Sequence, residues 1–356
     1  MDASRIRALR RLCAALLCCL TLAGGCTDSG TPAKKDSPAI ARTTSPKAGD
    51  ELESEYQRVI RNVLPSVVQI RAGNALGSGV VYDGKGHIVT NAHVVGGEKT
   101  FQVTTANSEN ALTARLVSSY PEQDLAVVKL DEVPNGLKAA VFGDSAKVEV
   151  GRIVLAMGSP LGLSSSVTQG IVSATGRTVS EGNTGGGTGA TIANMVQTSA
   201  AINPGNSGGA LVDLDAQVIG IPTLAAIDPG LGGSAASGIG FAIPASTVKT
   251  IADQIISSGK VTDSGRAALG ITGRTVVNSS TYQPAGVAVV DVKKGGAADK
   301  AGLRIGDIII RLGDTDVTTL TSLAEALANA RPGQRTTVMF LRSGSRKTVG
   351  ITLGEQ

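Results

Sequence analysis

Short apolar runs of β type, separated by glycine-containing turns, fill the chain from Glu51 to Ser258. The run Leu125–Leu130 is apolar on nearly both faces, which indicates a strand inside a barrel wall. The runs Gly77–Tyr82 and His87–Thr90 flank the tetrapeptide Asp83–Gly86, whose composition predicts a hairpin turn. This spacing of strands and turns predicts an all-β barrel or sandwich, and therefore a mainly β fold.

A second, smaller domain is expected after this region. Helical spacing of apolar residues over Pro244–Ser257 closes the first domain, which we assign to residues 51–258. Residues 259–265 form a linker, and residues 266–356 are predicted to form a small α/β module. Its expected elements are strands at Val287–Val292, Asp307–Leu312 and Thr336–Arg342, and a helix at Leu320–Ala330 that Pro332-Gly333 stops.

The N-terminus has the layout of an export signal. Arginines between positions 5 and 11 precede the apolar run Leu12–Ala23, which is shorter than the roughly 20 residues that span a bilayer. The end of this run, Leu22–Cys26, resembles a bacterial lipoprotein signal, which implies that residues 1–26 are the signal segment and that Cys26 carries the lipid. An ordinary cleaved signal and a retained anchor remain as alternatives. Residues 27–50 are rich in Ser, Thr, Pro, Lys and Asp, which predicts a flexible tether.

Cysteine content and net charge exclude several classes of function. All four cysteines lie in the signal segment, so the later domains have no disulfide, no thiolate metal site and no catalytic cysteine. The formal net charge of +4 falls close to zero once the four arginines and one aspartate of residues 1–25 are set aside. A nearly neutral chain gives no electrostatic case for binding nucleic acid.

The glycine-rich motif Asn203–Leu211, with the sequence NPGNSGGAL, has the composition of a nucleophile loop around Ser207. A serine hydroxyl needs a base to remove its proton and donors aimed at the oxygen that becomes charged. Glycines permit a sharp turn in which the N–H groups of Gly205 and Ser207 form such an oxyanion hole. A plain surface turn is the alternative, but the nine-residue arrangement favours the nucleophile.

Candidates for the base and its orienting acid precede this motif. His93 follows an apolar run, and imidazole, with an ordinary pKa of about 6.5, suits proton transfer at neutral pH. The only other histidine, His87, is expected to be a solvated hairpin residue. Asp124 begins a strongly apolar run, where a carboxylate needs a hydrogen-bonding partner such as an imidazole. A turn aspartate that caps the strand is an equal alternative for this residue.

The three sequences around these residues, in the order His93, Asp124 and Ser207, resemble the catalytic motifs of the HtrA family of bacterial envelope proteases. Gly238–Pro244 matches a further family motif that lines the substrate cleft. The resemblance implies a chymotrypsin-like double β-barrel in which Ser207 is the nucleophile, His93 the general base and acid, and Asp124 the residue that orients the histidine. Such a mechanism needs no metal and no organic cofactor. Related enzymes are commonly trimers, so a homo-oligomer is expected.

Residues near Ser207 in the sequence predict the substrate preference of the cleft and the way in which its activity is controlled. Ala201, six residues before the nucleophile, stands where enzymes that prefer basic side chains have an acid. We therefore expect a small uncharged specificity pocket, with Gly240 and Phe241 as further candidate lining residues. Asn206 stands where zymogen-activated relatives have an aspartate that pairs with a newly cut N-terminus. Asn206 cannot form that ion pair, so activation by cleavage of the chain is not expected. We expect the ordering of loops to control the activity instead.

The C-terminal module resembles a PDZ domain in Leu269–Ile271, in the segment Ala298–Ile310 and in the predicted helix. The resemblance implies that Leu269, Gly270 and Ile271 present N–H groups to the terminal carboxylate of a peptide, which adds as a strand to the sheet edge. A small α/β cap without a ligand is the alternative.

These features together predict an exported, ATP-independent endopeptidase that cleaves unfolded or damaged proteins and is held at the membrane by Cys26. Its expected partners are unfolded polypeptides in the cleft and C-terminal peptides at the PDZ-like module. The principal rival is a binding or chaperone protein whose protease is idle at rest, and a lipid-anchored adaptor is a third possibility.

Overall fold

The computed structural model describes residues 48–105, 108–159, 166–180, 190–203, 205–228, 234–328 and 330–355. The signal segment, Cys26 and nearly all of the expected tether lie outside these residues. The described chain is mainly β and contains two closed barrels followed by a smaller sheet domain, which confirms the predicted fold class. No helix in the described ranges is both long and apolar enough to cross a membrane.

The first barrel closes in the strand order β1-β2-β3-β6-β5-β4. Its strands are β1 (Val67–Ala72), β2 (Ala75–Val81), β3 (His87–Thr90), β4 (Thr100–Thr105), β5 (Ser108–Tyr120) and β6 (Leu125–Leu130). The expected hairpin joins β2 to β3, and β3 pairs antiparallel with β6. The short helix α2 (Ala92–Val95) follows β3 directly. The ends of β3 and β6 therefore bring the predicted histidine and aspartate to the same part of the barrel.

The second barrel closes in the order β10-β11-β12-β9-β8-β7. Its strands are β7 (Ile153–Gly158), β8 (Ser166–Ser180), β9 (Thr191–Thr198), β10 (Ala210–Asp213), β11 (Val218–Asp228) and β12 (Ser234–Pro244). The loop that carries Ser207 leads into β10. A continuous apolar cluster contains residues of both barrels, for example Val80 and Leu125 of the first and Leu155 and Met157 of the second.

Two helices cover this shared core. The predicted helix α3 (Ala245–Ser258) is confirmed and buries Val248, Ile251 and Ile255. The helix α1 (Ala48–Val63) was not predicted, and it begins within the last three residues that we assigned to the tether. Val59 and Val63 of α1 are buried in the core between the barrels, which explains why this segment is ordered as a helix.

The third domain contains a sheet in the order β14-β15-β16-β18-β19, with β17 beside β16, and a separate pair of β13 with β20. Its core consists mainly of aliphatic side chains, among them Leu269, Val287, Ile309 and Leu323. The strands are β13 (Ala267–Ala268), β14 (Ile271–Val277), β15 (Pro284–Val292), β16 (Ile308–Leu312), β17 (Thr315–Asp316), β18 (Arg335–Arg342), β19 (Ser345–Thr352) and β20 (Gly354–Glu355). The helices are α4 (Ala297–Lys300) and α5 (Leu320–Ala328), and α5 ends two residues before the predicted end.

Candidate active site

Asp124 is fully buried at the end of the turn Pro121–Gln123 and has a left-handed backbone conformation with φ of 48°. Both oxygens of its carboxylate nevertheless have hydrogen-bond partners. One oxygen accepts the backbone N–H of His93 at 2.9 Å, and the other lies 2.8 Å from Nδ1 of the same residue. The hydroxyl of Thr223 donates to this second oxygen as well. Hydrogen bonds of this kind offset the cost of burying the carboxylate.

His93 lies on α2, immediately after the end of β3, and its side chain is 20% exposed. Asn91, the residue before this helix, is fully buried and donates from its side-chain amide to the backbone carbonyl of Asp124 at 3.0 Å. The backbone of the turn and the carboxylate are thus both tied to the start of α2. The structure brings His93 and Asp124 together as the sequence predicts.

Ser207 reaches this pair from the second barrel through Thr223 of β11. The Ser207 hydroxyl donates to the Thr223 backbone carbonyl at 3.2 Å, while the Thr223 side chain contacts Asp124. Sequence analysis did not identify Thr223. It lies outside the three motifs, and its contact with Asp124 joins residues 99 positions apart.

The backbone of the nucleophile loop, residues 205–209, lies in close contact with the backbone of neighbouring strands. Gly205 and Gly208 have φ of 104° and 81°, in the region that favours glycine. A Cβ atom on Gly208 would lie 2.2 Å from the carbonyl oxygen of Ser78. A Cβ atom on Gly209 would lie 2.1 Å from the carbonyl oxygen of Met157. The last two distances are too short for any side chain, so the fold requires glycine at these two positions.

Asn206 is buried and closes the turn before the nucleophile. Its side-chain oxygen accepts the N–H of Asn203 at 3.1 Å, and its amide donates to the carbonyl of Ala201 at 3.1 Å. Both ends of the side chain are thus engaged within the same loop.

The three residues expected at the specificity pocket occupy different environments. Ala201 is exposed, whereas Phe241 is buried at 8% exposure in the core shared by the barrels. Gly240 faces Ile202, since a Cβ atom at Gly240 would lie 2.3 Å from the Ile202 side chain. Ile202, which is apolar and buried, was not among the predicted residues.

The prediction for His87 is wrong, because this residue is buried at 7% exposure. Its Nδ1 lies 2.7 Å from the carboxylate of Asp83, which also accepts the backbone N–H groups of Lys85 and His87. Burial alone raises the pKa of Asp83, but the hydrogen bonds from His87 and the backbone outweigh it and hold that pKa below its ordinary value. His87 therefore fixes the β2–β3 hairpin.

A groove in the third domain contains the predicted peptide-binding residues. Leu269, Gly270 and Ile271 line one side, and the α5 residues Leu320, Leu323 and Leu327 line the other. Gly270 has φ of 71°, and its carbonyl accepts the N–H of Lys293 at 2.9 Å. Arg266 and, from the first barrel, Glu122 also line this groove, and neither was predicted.

The part of the chain that the structure describes contains no group of three or more His, Cys, Asp or Glu side chains placed to hold a metal ion.

Comparison with known proteins agrees with this architecture. Residues 77–221 match the model of the trypsin-like peptidase domain, and residues 267–353 match that of the PDZ domain. Serine protease PepD of Mycobacterium tuberculosis is 36% identical over 343 residues, which cover 91% of this chain and 72% of the relative. A solved structure, HtrA-type protease AlgW with decapeptide, is 30% identical with a TM-score of 0.59 and covers 85% of this chain and 98% of the solved one. The chain belongs to the HtrA family.

A plant member of the HtrA family is similar over a comparable length. Protease Do-like 1, chloroplastic, of Arabidopsis thaliana is 37% identical over 298 residues, which cover 81% of this chain and 65% of the relative. The chain thus spans about two thirds of the length of this HtrA relative.

Proposed function

We propose that this chain is an ATP-independent serine endopeptidase of the cell envelope that cleaves unfolded or damaged polypeptides. The supporting observation is the hydrogen-bonded series that links His93 to Asp124, Asp124 to Thr223, and Thr223 to Ser207. The family membership and the envelope proteases among the relatives, such as the probable periplasmic serine endoproteases from Chlamydia, support the location and the class of substrate.

In the proposed reaction, Asp124 holds Nδ1 of His93, so the other ring nitrogen takes the proton of Ser207. The Ser207 oxygen attacks the peptide carbonyl carbon, and the N–H groups of Gly205 and Ser207 stabilise the oxyanion. The C–N bond then breaks as His93 protonates the leaving amine. Water, deprotonated by His93, hydrolyses the acyl-enzyme and restores the Ser207 hydroxyl.

Degradation of casein by the purified protein, beside its Ser207→Ala variant, tests this proposal. We expect cleavage by the wild type alone and covalent labelling of Ser207 by an organophosphonate. Cleavage by both proteins would contradict the assignment of the nucleophile. A peptide-library profile dominated by Arg or Lys at the cleaved position would contradict the uncharged pocket proposed at Ala201.

A latent protease gated by the PDZ domain is the second candidate. It is favoured by the hydrogen bond from the Ser207 hydroxyl to the Thr223 carbonyl, from which that hydroxyl must turn before it attacks. AlgW, which was solved with a decapeptide, supports peptide binding by this chain, and we assign that binding to the groove beside Leu269–Ile271. If the protein is latent, casein cleavage appears only when a C-terminal peptide is added. If cleavage stays absent with such peptides, the binding or chaperone role is favoured.

We also propose that a lipid on Cys26 holds the protein at the membrane and that the protein assembles into a homo-oligomer. The support for the anchor is the composition of residues 1–26. Metabolic labelling with a fatty acid should mark the wild type, and Cys26→Ser should abolish the label and release the protein from the membrane fraction. Light scattering of the solubilised protein measures the assembly state, and a monomer would contradict the second proposal.

A further inference from the structure

Ser78 of β2 is fully buried at the contact between the two barrels. Its backbone N–H donates to the carbonyl of Ser207 at 2.9 Å, and its carbonyl accepts the hydroxyl of Thr90 at 2.7 Å. These two bonds use only the backbone of Ser78, and any residue with a free N–H can form them. They place the Ser78 side chain directly against the nucleophile loop.

The Ser78 hydroxyl joins two segments of the second barrel to the first. It donates to the carbonyl of Gly205 at 2.5 Å and accepts the N–H of Ser159 at 2.8 Å. Ser159 follows β7, and its own carbonyl accepts the buried side-chain amide of Gln69 of β1 at 3.2 Å. One hydroxyl thus satisfies a carbonyl on the nucleophile loop and an N–H at the end of β7, which is a task that needs both a donor and an acceptor.

The space around this hydroxyl is closed by backbone. A Cβ atom on Gly158 would lie 2.5 Å from Cα of Asn206 and 3.0 Å from Oγ of Ser78. The nucleophile loop therefore packs directly on the end of β7. Loss of the hydroxyl would leave the Gly205 carbonyl and the Ser159 N–H without their partner in this interior, at a cost large enough to favour a different peptide orientation.

We propose that Ser78 is a positioning residue for catalysis, whose hydroxyl fixes the Gly205–Asn206 peptide and thereby the proposed oxyanion donors Gly205 and Ser207. The inference rests on the proposed protease function. Because the Gly205 carbonyl is bonded two residues before Ser207, and the Ser207 carbonyl is bonded to the N–H of Ser78, both ends of this short segment are held by one residue of the first barrel. Ser78 contacts neither His93 nor Asp124 through these bonds, so it acts on the nucleophile loop and leaves the base in place.

The test compares Ser78→Ala with Ser66→Ala in the full-length protein, with and without added C-terminal peptide. Ser66 is also fully buried, and within the described chain its hydroxyl has no hydrogen-bond partner, so it is a matched control. We expect Ser78→Ala to lower kcat about 10- to 100-fold with KM within about twofold, since a lost oxyanion donor costs roughly 100- to 1,000-fold. A peptide boronate, which forms a tetrahedral adduct at Ser207, should bind more weakly by the same factor.

A merely structural role would lower activity only in proportion to the folded fraction, which thermal unfolding of each variant measures. Equal kcat and equal boronate affinity in Ser78→Ala and Ser66→Ala overturn the role of Ser78 and leave the proposed function intact. A wild type that neither cleaves nor reacts with the boronate overturns both. If Ser78→Ala does not fold, Ser78→Cys replaces it, because the thiol is a weak donor and acceptor, and a reduced kcat with unchanged KM is again expected.

Discussion

At the residue scale, Asp124 shows how hydrogen bonds can hold a fully buried carboxylate beside a histidine. Its fully buried side chain is bonded by the backbone and ring of His93 and by the hydroxyl of Thr223. The imidazole is thus oriented by its Nδ1 contact with Asp124, and the carboxylate is itself held by Thr223 and by the backbone N–H of His93. Removing a single donor should change the orientation of the histidine more than the stability of the barrel.

Thr223→Val removes this donor with little change in shape. We expect kcat for peptide cleavage to fall roughly 10-fold and KM to stay nearly constant, because the loss affects the base and leaves the substrate cleft intact. Thr223→Ser retains the hydroxyl and should keep most of the activity. Steady-state kinetics of the two variants provide the comparison, and equal losses in both would contradict the role assigned to the Thr223 hydroxyl.

Asp307 of the PDZ domain is the clearest source of pH-dependent stability. It is 1% exposed and accepts two hydrogen bonds from Arg342, at 2.7 and 2.8 Å. Burial raises the pKa of Asp307, but the hydrogen bonds from Arg342 and from the backbone N–H of Arg304 outweigh this effect and lower it. A lowered folded-state pKa means that this stabilisation is present above the unfolded pKa of about 3.9 and is lost as pH falls through the folded value.

Asp307→Asn should therefore destabilise the PDZ domain at pH 7 by roughly 1–2 kcal/mol, which is less than for a fully buried ion pair because the Arg342 side chain is 26% exposed. The difference from the wild type should shrink as the pH falls below about 4, because the carboxylate then takes up a proton more readily in the unfolded state than in the native one. Calorimetric unfolding of the full chain at pH 7 and pH 3 measures this change. Asp314→Asn, on the exposed turn after β16, is the control, and a difference that stays constant with pH would contradict the ion-pair explanation.

At the element scale, strands and helices with a short hydrophobic period can be predicted from the sequence, whereas contacts between distant residues cannot. The strand run Leu125–Leu130 and the helix α3 have periodicity within a few residues, and both are present in the structure. The proposed catalytic residues His93, Asp124 and Ser207 were predicted for the same reason, because each stands in a compact motif. Thr223 and Ser78 act through bonds that cross 99 and 127 positions of sequence, so no local pattern identifies them.

The helix α1 was missed for a related physical reason. Most of its side chains are polar and exposed, and few of its residues enter the core. Its helical state depends on burial against the barrels, since short helices gain most of their stability from tertiary packing. Its first turn contains Asp50 and Glu51, which interact favourably with a helix N-terminus, but these residues alone resemble the acidic composition of a tether.

Val59→Ala tests whether α1 is an integral part of the protease domain. Val59 is fully buried in the shared core, so the lost contacts and the cavity should lower the free energy of unfolding by roughly 1–2 kcal/mol. Leu52→Ala on the same helix, where the side chain is 39% exposed, should cost much less. Thermal unfolding of both variants measures the difference, and equal effects would show that α1 contributes little to the core.

At the scale of the whole molecule, the first residues of the PDZ domain are held by its last strand. The carboxylate of Glu355 in β20 accepts the N–H and the hydroxyl of Ser264, each at 2.6 Å, and the N–H of Arg266 at 3.4 Å. The Arg266 side chain lies close to Tyr120 and is partly buried, and this burial lowers the pKa of Arg266. The end of the linker is thus bonded to the last strand of the PDZ domain, and Arg266 lies near Tyr120, which precedes the turn Pro121–Gln123.

Glu355→Ala should loosen this junction without unfolding either domain. The N–H and hydroxyl of Ser264 would lose their acceptor. We therefore expect limited proteolysis within residues 259–265 to become several-fold faster, because cleavage follows the population of locally open states. Glu132→Ala, an exposed acidic residue, is the control and should behave as the wild type does. Unchanged proteolysis in Glu355→Ala would show that the linker is held by other contacts.

The division of the proposed site between two barrels has a consequence for the synthesis and the denaturation of the protein. His93 and Asp124 belong to the first barrel and Ser207 to the second, so the chemistry exists only after both have folded and docked. Because the first barrel precedes the second in the sequence, a partly synthesised chain contains His93 and Asp124 before it contains Ser207. The same arrangement means that any denaturation that separates the two barrels separates His93 and Asp124 from Ser207.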